Sequence, residues 1–177
     1  MIPRLPIGEY VEDFIRFLRD NFGFIFDLIS SFIEGSVDNL AALLTFPPPI
    51  IFAILLGALG IWLRSIWFGL FVVISFLLIE SMELWAEAMD TLALVLVASI
   101  VAIILAIPVG ILATRSRTVS VIVRPVLDFM QTLPAFVYLL PALFFFGIGV
   151  VPGVIATLIF SMPPAVRLTE LGIRGVD

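Results

Sequence analysis

The chain has 177 residues, with nine basic residues against fourteen acidic ones, a formal charge of −5 and 62% apolar residues. Charged residues make up only 13%, about half the usual share in a soluble domain, and the mean hydropathy is +1.26. So large an apolar excess exceeds what one water-facing domain of this length can bury, so lipid is the expected solvent for most of the chain.

Residue types that are missing exclude more. Without His or Cys there is no imidazole base, no thiolate, no disulfide and no ordinary zinc or haem site. No cofactor is expected, and Ser–His or His–Glu–x–x–His chemistry is ruled out. All nine basic residues are dispersed arginines, which leaves no patch able to neutralise a run of phosphates, so no nucleic-acid partner is expected. The first residues mix acids with apolar residues and lack the basic-then-apolar order of a secretory signal.

Residues 1–46 carry seven acids and three arginines and contain no uninterrupted apolar span. Phe14, Leu18, Phe22, Ile25, Ile29 and Phe32 recur at helical steps, with Asp13, Arg16, Asp20, Asp27 and Glu34 opposite them. That pattern predicts one or two amphipathic helices lying in the membrane interface or against other helices, an N-terminal scaffold. Pro47, Pro48 and Pro49 end it.

Residues 47–84 are expected to form a transmembrane hairpin. The apolar run from Ile50 to Ile79 is broken only by Arg64, and one continuous helix of that length would be about 45 Å long, beyond a hydrocarbon core of about 30 Å. Two short helices turning at Arg64-Ser65 fit better, with Gly57, Gly60 and Gly69 allowing close approach. Glu80, Glu83, Glu87 and Asp90 mark a return to water, with Trp85 as an interfacial anchor.

A third span runs from Thr91 to Thr114 and stops at Arg115, Arg117 and Arg124. A fourth is expected to open with Pro125 in its first turn and reach Phe146. A fifth runs from Val154 to Met162 and is expected to close at Pro163-Pro164. Glu170 then lies at helical spacing from both Arg167 and Arg174. With five spans drawn, the arginines near span ends fall on one side, which predicts the N-terminus outside and the C-terminus in the cytoplasm.

Polar groups inside spans are costly and therefore informative. Asp128 either pairs with Arg124, four residues back, as a structural charge pair, or lines a path. Gln131, Thr132 and Tyr138 either face a water-filled cavity or bond across helices, while Pro134 and Pro141 interrupt the same segment. With Phe136 they are the candidate border of a translocation path. The 17 Phe offer either cation–π faces or simple packing. An intramembrane enzyme built on Asp128 is disfavoured, because no second acid lies within a well-defined span.

The blocks AMDTLALVL (88–96), PVGILATRS (108–116), RPVLDFMQTLPAFVYLLPALFFFGIGVVPGV (124–154) and IFSMPPAVRLTELGIRGV (159–176) resemble the permease subunit of binding-protein-dependent ABC importers for glycine betaine and L-proline. The resemblance covers about half the chain, and residues 85–177 would be the N-terminal part of a type I importer transmembrane domain. It implies an all-α polytopic membrane protein of about five transmembrane helices behind the amphipathic region, placed in a prokaryotic plasma membrane. It also implies a second permease copy, ATPase subunits in the cytosol, an external substrate-binding protein and no enzymatic chemistry of the chain's own. Glycine betaine, proline betaine, choline and carnitine all suit such a permease. The family's Glu-Ala-Ala docking loop would follow LGIRGV, and the sequence stops at Asp177. A C-terminally incomplete permease is therefore expected, the alternatives being a truncated, non-transporting membrane partner or a permease for another small solute.

Overall fold

The structure, a computed structural model, describes residues 7–176; residues 1–6 of the expected scaffold, with Arg4, and the terminal Asp177 lie outside the described residues. The fold is all-α, as expected. Among the described residues seven helices follow one another: α1 (Ile7–Thr45), α2 (Pro49–Leu63), α3 (Ile66–Ser81), α4 (Trp85–Arg115), α5 (Arg117–Thr132), α6 (Ala135–Phe146) and α7 (Val150–Arg174). Among the described residues α4 and α7 are each long and apolar enough to cross a bilayer. The number rises to four when α1 with α2, and α5 with α6, are each taken as one bent span. The chain divides into two compact units, residues 35–96 and residues 1–34 with 97–177.

The expected amphipathic region is one helix of 39 residues. Phe14, Phe22, Ile25, Ile29 and Phe32 of the predicted stripe stand at its surface, whereas Ile33, Val37 and Ala41 are buried. Its surface is thus more apolar than a water-facing helix requires, which suits an interfacial setting.

In the first unit, α2 and α3 form the hairpin expected at Arg64-Ser65. Ser65 caps α3 by accepting a hydrogen bond from the Phe68 amide at 3.3 Å. Gly57, Gly60 and Gly69 are buried where the helices meet. A Cβ on Gly69 would lie 2.2 Å from Ile61 Cγ1 and 2.5 Å from the Gly57 carbonyl oxygen, so only glycine fits this crossing. The large side chains point the other way, with Ile54, Leu55, Trp67, Phe71, Ile74 and Leu78 exposed. Small residues inside and large apolar residues outside is the arrangement of helices solvated by lipid.

The turn into α4 closes on a Schellman pattern: the Leu84 amide donates to the Ile79 carbonyl (3.2 Å) and the Glu83 amide to the Glu80 carbonyl (2.9 Å). Glu83 occupies the left-handed position there, with φ of 59°. Trp85 is a packing residue rather than a free interfacial anchor. Its ring meets Phe52 and Phe76 edge-on at 5.6 and 6.0 Å, and its indole N–H is buried without a partner among the described residues.

In the second unit the same inside-out logic runs along α4, whose Ala98, Ala102, Ala106, Gly110 and Ala113 are buried while Ile100, Ile103, Ile104 and Ile107 are exposed. A Cβ on Gly110 would lie 2.7 Å from Thr169 Cβ and 3.0 Å from the Val166 carbonyl oxygen, so α4 and α7 approach closely here. Ala106, Leu127 and Val166 form the core at which α4, α5 and α7 join, flanked by Val109, Val123, Met130 and Met162.

Two expectations about prolines are corrected. Pro125 does not open the fourth span: Ser116 caps α5, and Pro125 sits in its interior. The expected span to Phe146 is instead two helices meeting at 97°. Pro134 forces Leu133 out of the helical region to φ −90°, ψ 139°, as the residue before a proline prefers. Nor do Pro163 and Pro164 close the fifth span, for α7 runs through both to Arg174. Proline's fixed φ is itself helical, and breaking the helix in lipid would strand more carbonyls than the two missing amides do.

Candidate transport site and interhelix charge network

The 97° break sets Gln131 and Thr132 at the end of α5, and Phe136 and Tyr138 in the first turn of α6. At about 1.5 Å per residue, α5 is about 24 Å long and α6 about 18 Å, so neither alone crosses a core of about 30 Å. Discontinuous helices of this kind put unsatisfied carbonyls and polar side chains where a solute can reach them. Here one such carbonyl is claimed locally: Thr132 Oγ1 donates to the Phe129 carbonyl at 3.0 Å, and the Tyr138 hydroxyl donates to the same oxygen at 3.2 Å. Tyr138 thereby bridges the break, and each hydroxyl keeps its acceptor lone pairs. The Gln131 side chain is exposed, and Phe136 is 77% exposed. All four predicted path residues thus gather at one helix break, although Thr132 and Tyr138 have a capping role that spacing does not reveal.

The expected charge pair is replaced by another. Asp128 pairs with Arg167 across to α7, and Arg124 pairs with Glu170, its Nη2 donating to Oε1 at 2.7 Å. Arg174 Nη2 reaches the same Oε1 at 2.8 Å. Arg124 and Asp128 share a face of α5, but α7 packs beside it and presents opposite charges to both. A packed neighbour offers better geometry than two long side chains on one helix. Glu170 likewise takes only one of the two neighbours expected for it, because Arg167 is drawn to Asp128. The five charges surround an open pocket of about 260 Å³.

Burial separates the two halves of this network. The Glu170 side chain is 9% exposed, while those of Asp128 and Arg167 are 64% and 43% exposed. A carboxylate so buried needs both guanidiniums, whereas the outer pair is a surface bridge. The network holds α5 to α7 and offers no nucleophile or paired carboxylates with catalytic geometry. Among the described residues no group of acids is disposed to hold a metal.

Part of the chain matches a known family, and nearly all of it aligns with curated proteins. Residues 106–177, from the second half of α4 through α7, match the binding-protein-dependent transport system inner membrane component family. Over 99% of its length the chain is 45% identical to the glycine betaine transport system permease protein OpuAB of Bacillus subtilis (strain 168), covering 62% of that protein. It is 44% identical to the glycine betaine/carnitine transport permease protein GbuB of Listeria monocytogenes, covering 64% of it. To the glycine betaine/proline betaine transport system permease protein ProW of Escherichia coli (strain K12) it is 39% identical over 97% of this chain and 49% of the relative. The chain therefore spans between about half and two thirds of these curated relatives. These relatives are named as transport permeases, the class that the resemblance in the sequence implied.

Proposed function

We propose that this chain is membrane-spanning permease sequence of an ABC importer for glycine betaine and related quaternary amines, and that it forms part of the translocation path. The observation that carries the reading is the near-complete alignment of the chain with permeases whose names specify glycine betaine. The helix break adds a physical reason. Gln131, Thr132, Phe136 and Tyr138 border the route, which is mildly polar and aromatic rather than anionic. A quaternary ammonium has no N–H to donate and gains about 0.5–2 kcal/mol from each aromatic face it meets. A fixed anion on the route would oppose the carboxylate of a betaine, and Asp128 is already engaged by Arg167.

In this reading the path needs a second permease copy, ATP hydrolysis belongs to separate ATPase subunits, and an external binding protein delivers the solute. The N-terminus is outside and the arginine-bearing ends of α4 and α7 face the cytosol. The 1–46 scaffold, the 47–84 hairpin and the 85–177 segment are the working divisions of the permease.

Uptake of radiolabelled glycine betaine tests this, with the permease carrying this sequence reconstituted in proteoliposomes with its ATPase subunits and binding protein. Gln131→Ala and Phe136→Ala are expected to lower uptake several-fold per folded complex at normal abundance. Unchanged uptake in both would remove the break from the route. Uptake of a different solute with no response to glycine betaine would overturn the substrate assignment.

A further inference from the structure

A second pocket, of about 490 Å³, lies between the end of α4, the first turns of α5 and the end of α7, and is lined by Thr114, Arg117, Ser120, Arg124 and Arg174 together with small apolar contacts. No acid lines it. Arg124 and Arg174 each bond Glu170 through one nitrogen, and each guanidinium has five N–H donors, so both retain donors for the pocket. Arg117 has no ion pair among the described residues. Three guanidiniums less the one carboxylate leave a local charge of +2.

Ser120 adds an unpartnered donor to this lining. It is only 6% exposed, yet it lines this pocket and its hydroxyl makes no hydrogen bond with a described residue. Thr114, Thr157 and Thr169 instead return their hydroxyls to carbonyls three or four residues back. The Ser120 hydroxyl is thus free to donate to a group that enters the pocket. The first turn of α5 adds the positive end of a helix dipole.

We propose that this pocket binds a phosphate ester, with Arg117, Arg124 and Arg174 as charge partners and Ser120 donating to a phosphate oxygen. The pocket lies where the apolar course of α4 ends at Arg115, which on the proposed membrane-spanning reading is the level at which headgroups meet acyl chains. Val121 and Ile122 stand 65% and 63% exposed beside it, a surface suited to acyl chains. These features favour an anionic phospholipid headgroup as the source over a soluble phosphate.

Native mass spectrometry of the purified full chain in mixed micelles tests the proposal, with phosphatidylglycerol compared against phosphatidylcholine, whose ammonium group cancels its phosphate charge. One phosphatidylglycerol is expected to be retained by the wild type, with at least ten-fold lower occupancy in Arg117→Gln and three- to five-fold lower in Ser120→Ala. Neither side chain bonds within the fold, so both variants are expected to keep the wild-type helix content by circular dichroism. Arg115→Gln, outside the pocket, should retain the lipid as wild type does. A competition arm adds millimolar sn-glycerol phosphate: persistence of the adduct supports a lipid source, and displacement supports a soluble phosphate ester at the same site. Equal retention of both lipids, equal retention of phosphatidylglycerol by Arg117→Gln and Ser120→Ala, or no binding of lipid or glycerol phosphate to the wild type would overturn it.

Discussion

The α2–α3 hairpin and the α5–α7 pair bring helices together by opposite means. In the hairpin the side chains are removed: Gly57, Gly60 and Gly69 let two backbones touch, and among the described residues no side-chain hydrogen bond crosses between the helices, the Ser65 cap serving α3 alone. Between α5 and α7 the side chains are added, with Leu127 against Val166 in the core and three arginines laced to two acids at the edge. Lipid offers no hydrophobic drive for helices to associate, so contact must come from close packing or from polar bonds. The hairpin relies on the first and α5–α7 combines both. The hairpin is consequently sensitive to a single methyl group, whereas the charge network concentrates its sensitivity in one buried residue.

The largest expected effect is therefore in the hairpin. Gly69→Ala places a Cβ 2.5 Å from a backbone oxygen that cannot rotate away, and overpacking of this kind costs up to about 3 kcal/mol. Thermal unfolding in detergent should show a lower midpoint, with protease sensitivity appearing first near Arg64-Ser65. Gly23→Ala in α1, where a Cβ would meet nothing within 4 Å, should change stability by no more than about 1 kcal/mol and in the favourable direction. If the two glycines respond alike, close approach is not what holds the hairpin.

Next is Glu170→Gln. Charge-assisted hydrogen bonds contribute about 1.5–3 kcal/mol when one partner is removed, and this carboxylate accepts two of them while 9% exposed. A loss in that range is expected, together with faster hydrogen exchange where α5 meets α7. Glu170→Asp, too short to reach both guanidiniums, should fall between Gln and wild type.

How these regions read from the sequence follows the same division. The hairpin was legible because its determinants are local: an arginine and a serine within an apolar run too long for one helix, and glycines at positions that face each other once the chain folds back. The all-α fold was likewise legible, from hydropathy, whereas one span to Phe146 was expected where the structure breaks the chain at Leu133-Pro134, beside Gln131, Thr132, Phe136 and Tyr138. The pairing in the network was not legible. Spacing of four offered Asp128 to Arg124 and Glu170 to two arginines, and only the packing of α7 against α5 decides among them. The prolines misled for a related reason. A proline states which amide is missing, but whether the helix stops there depends on what else can satisfy the carbonyls. At Leu133-Pro134 hydroxyls from Thr132 and Tyr138 serve the end that forms, while Pro163-Pro164 lies within a helix held by its packing.

A smaller effect of opposite sign is expected at the turn between α3 and α4. Glu83 holds a left-handed conformation that costs a non-glycine residue about 1–2 kcal/mol, part of which glycine returns through its freer unfolded chain. Glu83→Gly should therefore raise stability by about 0.5–1 kcal/mol without altering the Schellman bonds. A decrease would mean that the Glu83 side chain is engaged in the folded protein.

The smallest effect is expected at Asp128, and it sharpens the contrast within the network itself. Asp128 and Arg167 are joined, yet both are substantially open to solvent, so removing the charge should cost only about 0.2–1 kcal/mol, the range of exposed pairs. Asp128→Asn is therefore expected to leave the unfolding midpoint within a degree or two of wild type, and the difference should shrink as salt is raised. Arg167 then gains freedom to turn toward Glu170, a coupling within one network, so the double variant Asp128→Asn/Glu170→Gln should depart from the sum of the single losses. On the proposed route past the helix break, glycine betaine uptake per folded complex should also be nearly unchanged, because Asp128 serves the edge of the α5–α7 contact. A loss of stability as large as that of Glu170→Gln would show that the outer pair is buried in the assembled permease. Abolished uptake at full stability would place the carboxylate on the route, where its charge rather than its bond to Arg167 matters.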